Sequence, residues 1–229
     1  MESTSVYLSL GSNIGDRESN LAQATMALSI NTDISDIESS SYYESEPLYN
    51  KDQPDFLNSV VKCCTILKPF DFIDVTKKIE SMLGRKQQDE KNQPRSIDID
   101  LLFHGNSVFE TDELIVPHPM IGLRKFVLIP FVELEPDFNI PHSDLTISDL
   151  LDHCPDKSLV KRHYMETQAW ENYIILTPQF YIAIKSDRSL MQIKPVRRTV
   201  KEEYRKRTDD YIGGNETKRL ALAKKLMQR

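Results

Sequence analysis

The hydrophobic pattern opens with Val6-Tyr7-Leu8-Ser9-Leu10, a short strand that the turn signal Gly11-Ser12-Asn13 ends. Asp16 then suits a helix N-cap, and Leu21, Ala24 and Leu28 recur at helical spacing behind it. From Ile37 to Glu44, Ser and Tyr dominate with little helical period, which predicts a strand. Glu46-Pro47 through Gln53-Pro54 reads as a loop, because each proline disfavours the helical region for the residue before it. Phe56 to Ile66 alternates: Asn58, Val60, Lys62 and Cys64 fall on one side, and Leu57, Val61, Cys63 and Thr65 cluster on the other. That predicts a strand running antiparallel to the preceding one.

Pro69 suits the first turn of a helix, Phe72, Ile73, Thr76, Ile79 and Leu83 give it an apolar stripe, and Gly84 stops it. A polar stretch, 85–94, leads into a last strand, Ser96 to Phe103. The order β-α-β-β-α-β predicts an α+β fold: an antiparallel sheet covered by helices on one face, the ferredoxin-like sandwich. Beyond it the sequence predicts a loop at Pro117-His118-Pro119, an apolar helix near Phe126 to Leu134 and a short helix from about Ser148.

The character then changes. Gln168 to Arg229 holds 14 Lys and Arg against 7 Asp and Glu, whereas the whole chain has a formal net charge of -6. We therefore expect a domain over 1–165 and a basic C-terminal extension over 166–229. In the extension, Phe180 to Lys185 and Leu190 to Lys194 flank a turn like a β-hairpin, and Asn215 suits the cap of a last helix, Glu216 to Met227. Its charge and its tyrosines invite a nucleic-acid role, but no recognition motif is visible, so packing on the acidic domain or on a second subunit is the favoured reading. The partners expected are small molecules, with a monomer or homodimer left open.

At 229 residues and 39% hydrophobic content, the chain can bury a core. Cys63, Cys64 and Cys154 are too few and wrongly spaced for a disulfide framework or a zinc site. Met1-Glu2-Ser3-Thr4-Ser5 lacks the features of a signal peptide, and no apolar run approaches the roughly 20 residues that span a bilayer. A cytoplasmic protein away from membranes is expected.

The candidate chemistry centres on Asp98 and Asp100. Residues two apart on a strand project from one face. Aspartate is depleted in strands, and two adjacent like charges repel, so the pair costs stability unless a cation sits between them. Hard cations such as Mg²⁺ take oxygen ligands from one or two carboxylates together with substrate phosphates. Arg95 just before the pair, and His118 and Arg124 after it, add what phosphate chemistry needs. Gly11-Ser12-Asn13-Ile14-Gly15 lacks the Lys-Ser/Thr ending of a Walker loop, so a nucleotide is expected to be held by side chains and metal.

Four strings occur in order: Leu8-Ser9-Leu10-Gly11-Ser12-Asn13, Asp52-Gln53-Pro54-Asp55-Phe56-Leu57-Asn58, Pro94-Arg95-Ser96-Ile97-Asp98-Ile99-Asp100-Leu101-Leu102 and Val116-Pro117-His118-Pro119. Together they resemble the 6-hydroxymethyl-7,8-dihydropterin pyrophosphokinases of folate synthesis, over roughly Val6 to Tyr164. The resemblance implies a ferredoxin-like fold and diphosphate transfer from ATP, with two Mg²⁺ ions held by Asp98 and Asp100. It also implies that Phe56 and Phe126 sandwich the pterin and that Asn58 hydrogen-bonds it. Ser45, Glu46 and Leu48 would read its edge. Arg85, Arg95, His118 and Arg124 match positions at the phosphates, and Lys77, Glu80 and Leu101 match positions around the nucleotide. Gln87, Asn92, Glu113 and Ile115 depart from the family pattern in or near loops that close over ATP. The competing class is a non-catalytic ferredoxin-like module, which would have no need of this combination of residues.

Overall fold

The computed structural model describes residues 3–85, 93–164, 175–176 and 181–182. Contacts divide the chain after His163. The first unit carries β1 (Thr4–Ser12), α1 (Arg17–Ser29), β2 (Ile34–Ser39), β3 (Tyr43–Ser45), β4 (Phe56–Thr65), α2 (Pro69–Met82) and β5 (Asp98–His104). These are followed by β6 (Phe109–Glu110), β7 (Ile115–Val116), α3 (Lys125–Leu134), α4 (Ile147–Asp152) and β8 (Val160–Arg162). Local chemistry explains the helix ends. The Asp16 carboxylate caps α1 by accepting from Ser19 N, and Pro69 opens α2 where its missing N–H costs nothing. Gly84, at φ 84°, supplies the left-handed turn after α2 that a side chain would resist.

The main sheet is antiparallel, in the order β5-β1-β4-β3-β8, with β2 also paired to β4. The single strand expected over Ile37 to Glu44 is two. β2 and β3 lie along the same edge of β4, and Ser40 bridges the break between them: its N–H donates to Val60 O and its Oγ accepts from Val60 N.

Alternation along β1 and β4 divides the core. Val6, Leu8, Leu10, Leu57, Val61 and Cys63 are fully buried and belong to the face that α1 packs on with Leu21, Ala24 and Leu28. Tyr7 and Val60 face the other way, into a cluster with Phe103, Val127, Leu128, Phe131 and Ile147. Helices therefore lie on both faces, α3 and α4 covering the side that the hydrophobic pattern left open. The Tyr7 ring stacks on Phe131 at 4.8 Å, and its hydroxyl donates to Glu135, which also pairs with Lys62 at 2.6 Å.

The pairing of β1 with β5 is irregular. Its register matches Gly11 with Asp98 and Ser9 with Asp100, then shifts so that Tyr7 meets Phe103. The extra residue is a bulge. It lets one sheet face carry two carboxylates at one end and the Phe103 ring in the core at the other.

In the second unit, β9 (Ile175–Leu176) pairs antiparallel with β10 (Tyr181–Ile182). Tyr181 and Ile182 thus pair with an earlier segment than the hairpin expected from the sequence. Residues 190–194 and the helix expected over 216–227 lie outside the described residues. Among the described residues no helix is long and apolar enough to cross a membrane.

Candidate active site

Past the edge of α3 the Tyr7 face of the sheet turns polar. Ser9 and Gly11 of β1, Asn58 of β4 and Asp98 and Asp100 of β5 line a cavity of about 220 Å³ there. The 45–56 segment closes one side with Ser45, Glu46, Leu48, Tyr49, Gln53 and Phe56, while Arg85, Arg95, His118, Arg124 and Phe126 close the other.

The carboxylates are matched by guanidiniums. Asp98 pairs with Arg85 at 2.5 Å and with Arg95, and Asp100 meets Arg124 at 3.4 Å. Burial, reinforced by the Asp98 charge, raises the Asp100 carboxyl above its ordinary range. Among the described residues no group of three or more His, Cys, Asp or Glu converges. A cation held by this pair alone would complete its shell with water and ligand oxygens, which is the habit of Mg²⁺ with phosphates. The donor set fits that metal.

The β5 bulge also seats His118. The backbone N–H of His118 donates to Leu102 O at 3.0 Å, and Nδ1 accepts from Met120 N at 3.2 Å. The ring proton therefore sits on Nε2. Burial, helped by the Arg124 charge, pushes the His118 pKa down to about 4, so the ring is a neutral donor.

The aromatic side is equally ordered. Asn58 is 2% exposed, and its Nδ2 donates to Ser45 Oγ at 3.0 Å and to Tyr43 O at 3.3 Å. Oδ1 is thereby left as the acceptor beside Phe56. Arg95 lies 6.0 Å from the centre of the Phe56 ring, and Arg124 lies 5.9 Å from that of Phe126. Arg124 Nε is buried and unpartnered in the protein, an orphan donor in the wall of the site.

The structure brings together Ser45, Glu46, Leu48, Phe56, Asn58, Arg85, Arg95, Asp98, Asp100, His118, Arg124 and Phe126. Three expected nucleotide residues are not on the cavity. Lys77 is exposed on α2, and Leu101 is 4% exposed in the core. Glu80 is also buried: Oε1 accepts from Ile99 N at 2.7 Å and pairs with Arg85. It thus anchors the amide between the two aspartates, on the outer edge of β5. Burial raises its carboxyl against the opposing Arg85 charge. Sequence reasoning missed Ser9, Gly11, Tyr49 and Gln53. The first two were within reach, since period two from Tyr7 puts them on one face. Of the departures, Glu113 and Ile115 are exposed around the β6–β7 pair and off the cavity, and Gln87 and Asn92 lie outside the described residues.

Paired aspartates, several forked guanidiniums and a neutral histidine around a cavity with aromatic walls suit metal-assisted transfer of a phosphorylated group. Comparison with known proteins narrows that class. Residues 7–136 match the family model of 7,8-dihydro-6-hydroxymethylpterin-pyrophosphokinase. A Bacillus subtilis 2-amino-4-hydroxy-6-hydroxymethyldihydropteridine pyrophosphokinase is 42% identical over 56% of this chain and 76% of its own. An Arabidopsis thaliana folate synthesis bifunctional protein is also 42% identical, but the match spans only 26% of its length. A Plasmodium falciparum HPPK-DHPS structure superposes with a TM-score of 0.52 at 16% identity, covering 67% of this chain and 42% of that one, a likeness of fold. The chain belongs to the 7,8-dihydro-6-hydroxymethylpterin-pyrophosphokinase family, which sets aside the non-catalytic module.

Proposed function

We propose that this chain transfers the terminal diphosphate of ATP to the hydroxymethyl oxygen of 6-hydroxymethyl-7,8-dihydropterin and releases AMP. The observation that carries the reading is one cavity lined by Asp98 and Asp100, by Arg85, Arg95, Arg124 and His118, and by Phe56, Asn58 and Phe126. Family membership supports the same reaction. We read β1-α1-β2/β3-β4-α2-β5 as the ferredoxin-like core of a catalytic domain ending near residue 165, with 166–229 as a basic extension.

A flat heteroaromatic ring gains from stacking between Phe56 and Phe126. The Asn58 amide, turned by Ser45 and Tyr43, offers Oδ1 to a ring N–H, and the backbone at Ser45, Glu46 and Leu48 reads the ring edge. Asp98 and Asp100 would hold two Mg²⁺ ions, and metal bound there would supply positive charge against the phosphate oxygens of the transferring group. Arg85 and Arg95 are steadied by Asp98, and Arg124 by Asp100, so their remaining N–H groups are oriented before ATP arrives. His118 Nε2 adds a neutral donor. The pterin oxygen forms a bond to the β-phosphorus, the bond from that phosphorus to the α–β bridging oxygen breaks, and AMP leaves with its electron pair. The hydroxyl proton goes to solvent. Positioning and charge stabilisation account for the acceleration.

Incubation of the full chain with ATP, Mg²⁺ and the hydroxymethyl pterin tests this. AMP and pterin diphosphate are expected in equal amounts, with AMP release dependent on the pterin. Formation of ADP, or AMP release indifferent to the pterin, would count against it.

A further inference from the structure

We infer that Asn13 is a positioning residue that holds the phosphate side and the pterin side of the cavity in register with one amide. The inference rests on the pyrophosphokinase reading and adds to it a residue outside the cavity wall. Asn13 ends the Gly11-Ser12-Asn13 turn, is 1% exposed and does not line the cavity. Its Oδ1 accepts from Arg95 N at 2.7 Å, and its own N–H donates to Arg95 O at 3.1 Å. Its Nδ2 donates to Gln53 Oε1 at 3.1 Å and to Pro54 O at 3.2 Å. Gln53 carries the chain further, donating from Nε2 to Asn50 O at 3.0 Å.

The orientation of the amide is dictated by its partners. Arg95 N can only donate and Pro54 O can only accept, so the acceptor end faces the arginine and the donor end faces the pterin loop. Each end holds backbone next to a working side chain. Arg95 pairs with Asp98 and lies over the Phe56 ring, and Pro54 stands two residues before Phe56. Gln53 and Pro54 are separated from Arg95 by about forty residues of sequence and are joined to it through this one side chain. The job needs one acceptor and two donors at short reach. Aspartate lacks the donors and alanine lacks both. This accounts for Asn13 in the turn motif, a residue that does not line the cavity.

The two ends make separable predictions. Asn13→Asp keeps the acceptor for Arg95 N but sets a carboxylate against two oxygens, Gln53 Oε1 and Pro54 O. It should raise the KM for the pterin about tenfold or more while the KM for ATP stays within about threefold, because buried oxygens are then left unpaired on the pterin side alone. Asn13→Ala should raise both KM values and lower kcat about tenfold. Gln53→Ala should reproduce the pterin defect alone, and it carries the test with Asn13→Asp if Asn13→Ala does not fold. Circular dichroism and melting report folding in each case. Folded Asn13 variants with both KM values and kcat within twofold of the native chain would overturn the inference, as would Asn13→Asp affecting the two substrates equally. A native chain that makes no AMP contradicts the reaction itself; an active native chain with unaffected variants contradicts only the role of Asn13.

Discussion

Replacing Asp98 should separate stability from activity. Its side chain is 20% exposed and meets Arg85 at 2.5 Å and Arg95 on its other oxygen. Asp98→Ala removes both charge-assisted contacts and leaves two guanidiniums sharing the gap. Arg85 retains Glu80, and both arginines keep some contact with water. A charge-assisted hydrogen bond contributes about 1.5–3 kcal/mol, and with rehydration of the arginines the net loss is about 2 kcal/mol. For a protein of this size that lowers Tm by about 4–8 °C, well within an ordinary stability of about 5–15 kcal/mol. The catalytic loss should be far larger. Asp98 and Asp100 are the carboxylates that β5 presents to the cavity, and removing one should lower turnover by about a thousandfold or more. Asp98→Asn keeps the shape and one acceptor for the arginines, so it should melt closer to the native chain yet lose as much activity. The assay is AMP release at saturating ATP and pterin, with melting followed by circular dichroism. Turnover of Asp98→Asn within tenfold of the native chain would show that the carboxylate does not hold the metal.

Gly11→Ala should leave the fold intact and obstruct the pterin, because a Cβ there comes 3.4 Å from Asn58 Oδ1 and 3.8 Å from the Phe56 ring; pterin affinity measured by calorimetry should fall about tenfold while ATP-analogue affinity stays unchanged. Burial alone would raise the Glu135 carboxyl, but the hydrogen bonds from Lys62 and Tyr7 and the Lys62 charge outweigh it and hold the pKa below its ordinary value. A depressed folded-state pKa contributes stability that is present above the unfolded pKa and lost as pH falls through the folded one; Tm measured from neutral to acid pH should fall less steeply in Glu135→Gln than in the native chain. Phe131→Ala should cost about 3–5 kcal/mol by emptying the cluster under α3, seen as a lowered denaturant midpoint with unchanged slope.

The sequence made the order of the first strands and helices largely legible because α1 and α2 had apolar stripes and recognisable ends, as with Asp16, Pro69 and Gly84. The aspartate pair was legible for the same reason, since period two on a strand is a rigid rule. What it hid was non-local. Nothing in the Ser-rich segment before β3 announced that Ser40 would bridge two strands along one edge of β4. The β5 bulge depends on pairing with β1 and leaves no local mark, yet it decides where His118 sits. Glu80 looks like an exposed helix residue until the edge of β5 comes beside it, and Asn13 looks like a turn residue until the Arg95 and Pro54 loops close on it.

Diphosphate transfer is defined by the group that moves and by the bond that breaks. ATP carrying a label on its β-phosphorus, mixed with Mg²⁺, the hydroxymethyl pterin and the full chain, tests both at once. The label should leave the nucleotide entirely and appear in the pterin diphosphate, with unlabelled AMP in equal amount. Label retained in ADP, or absent from the pterin, would overturn the proposed transfer.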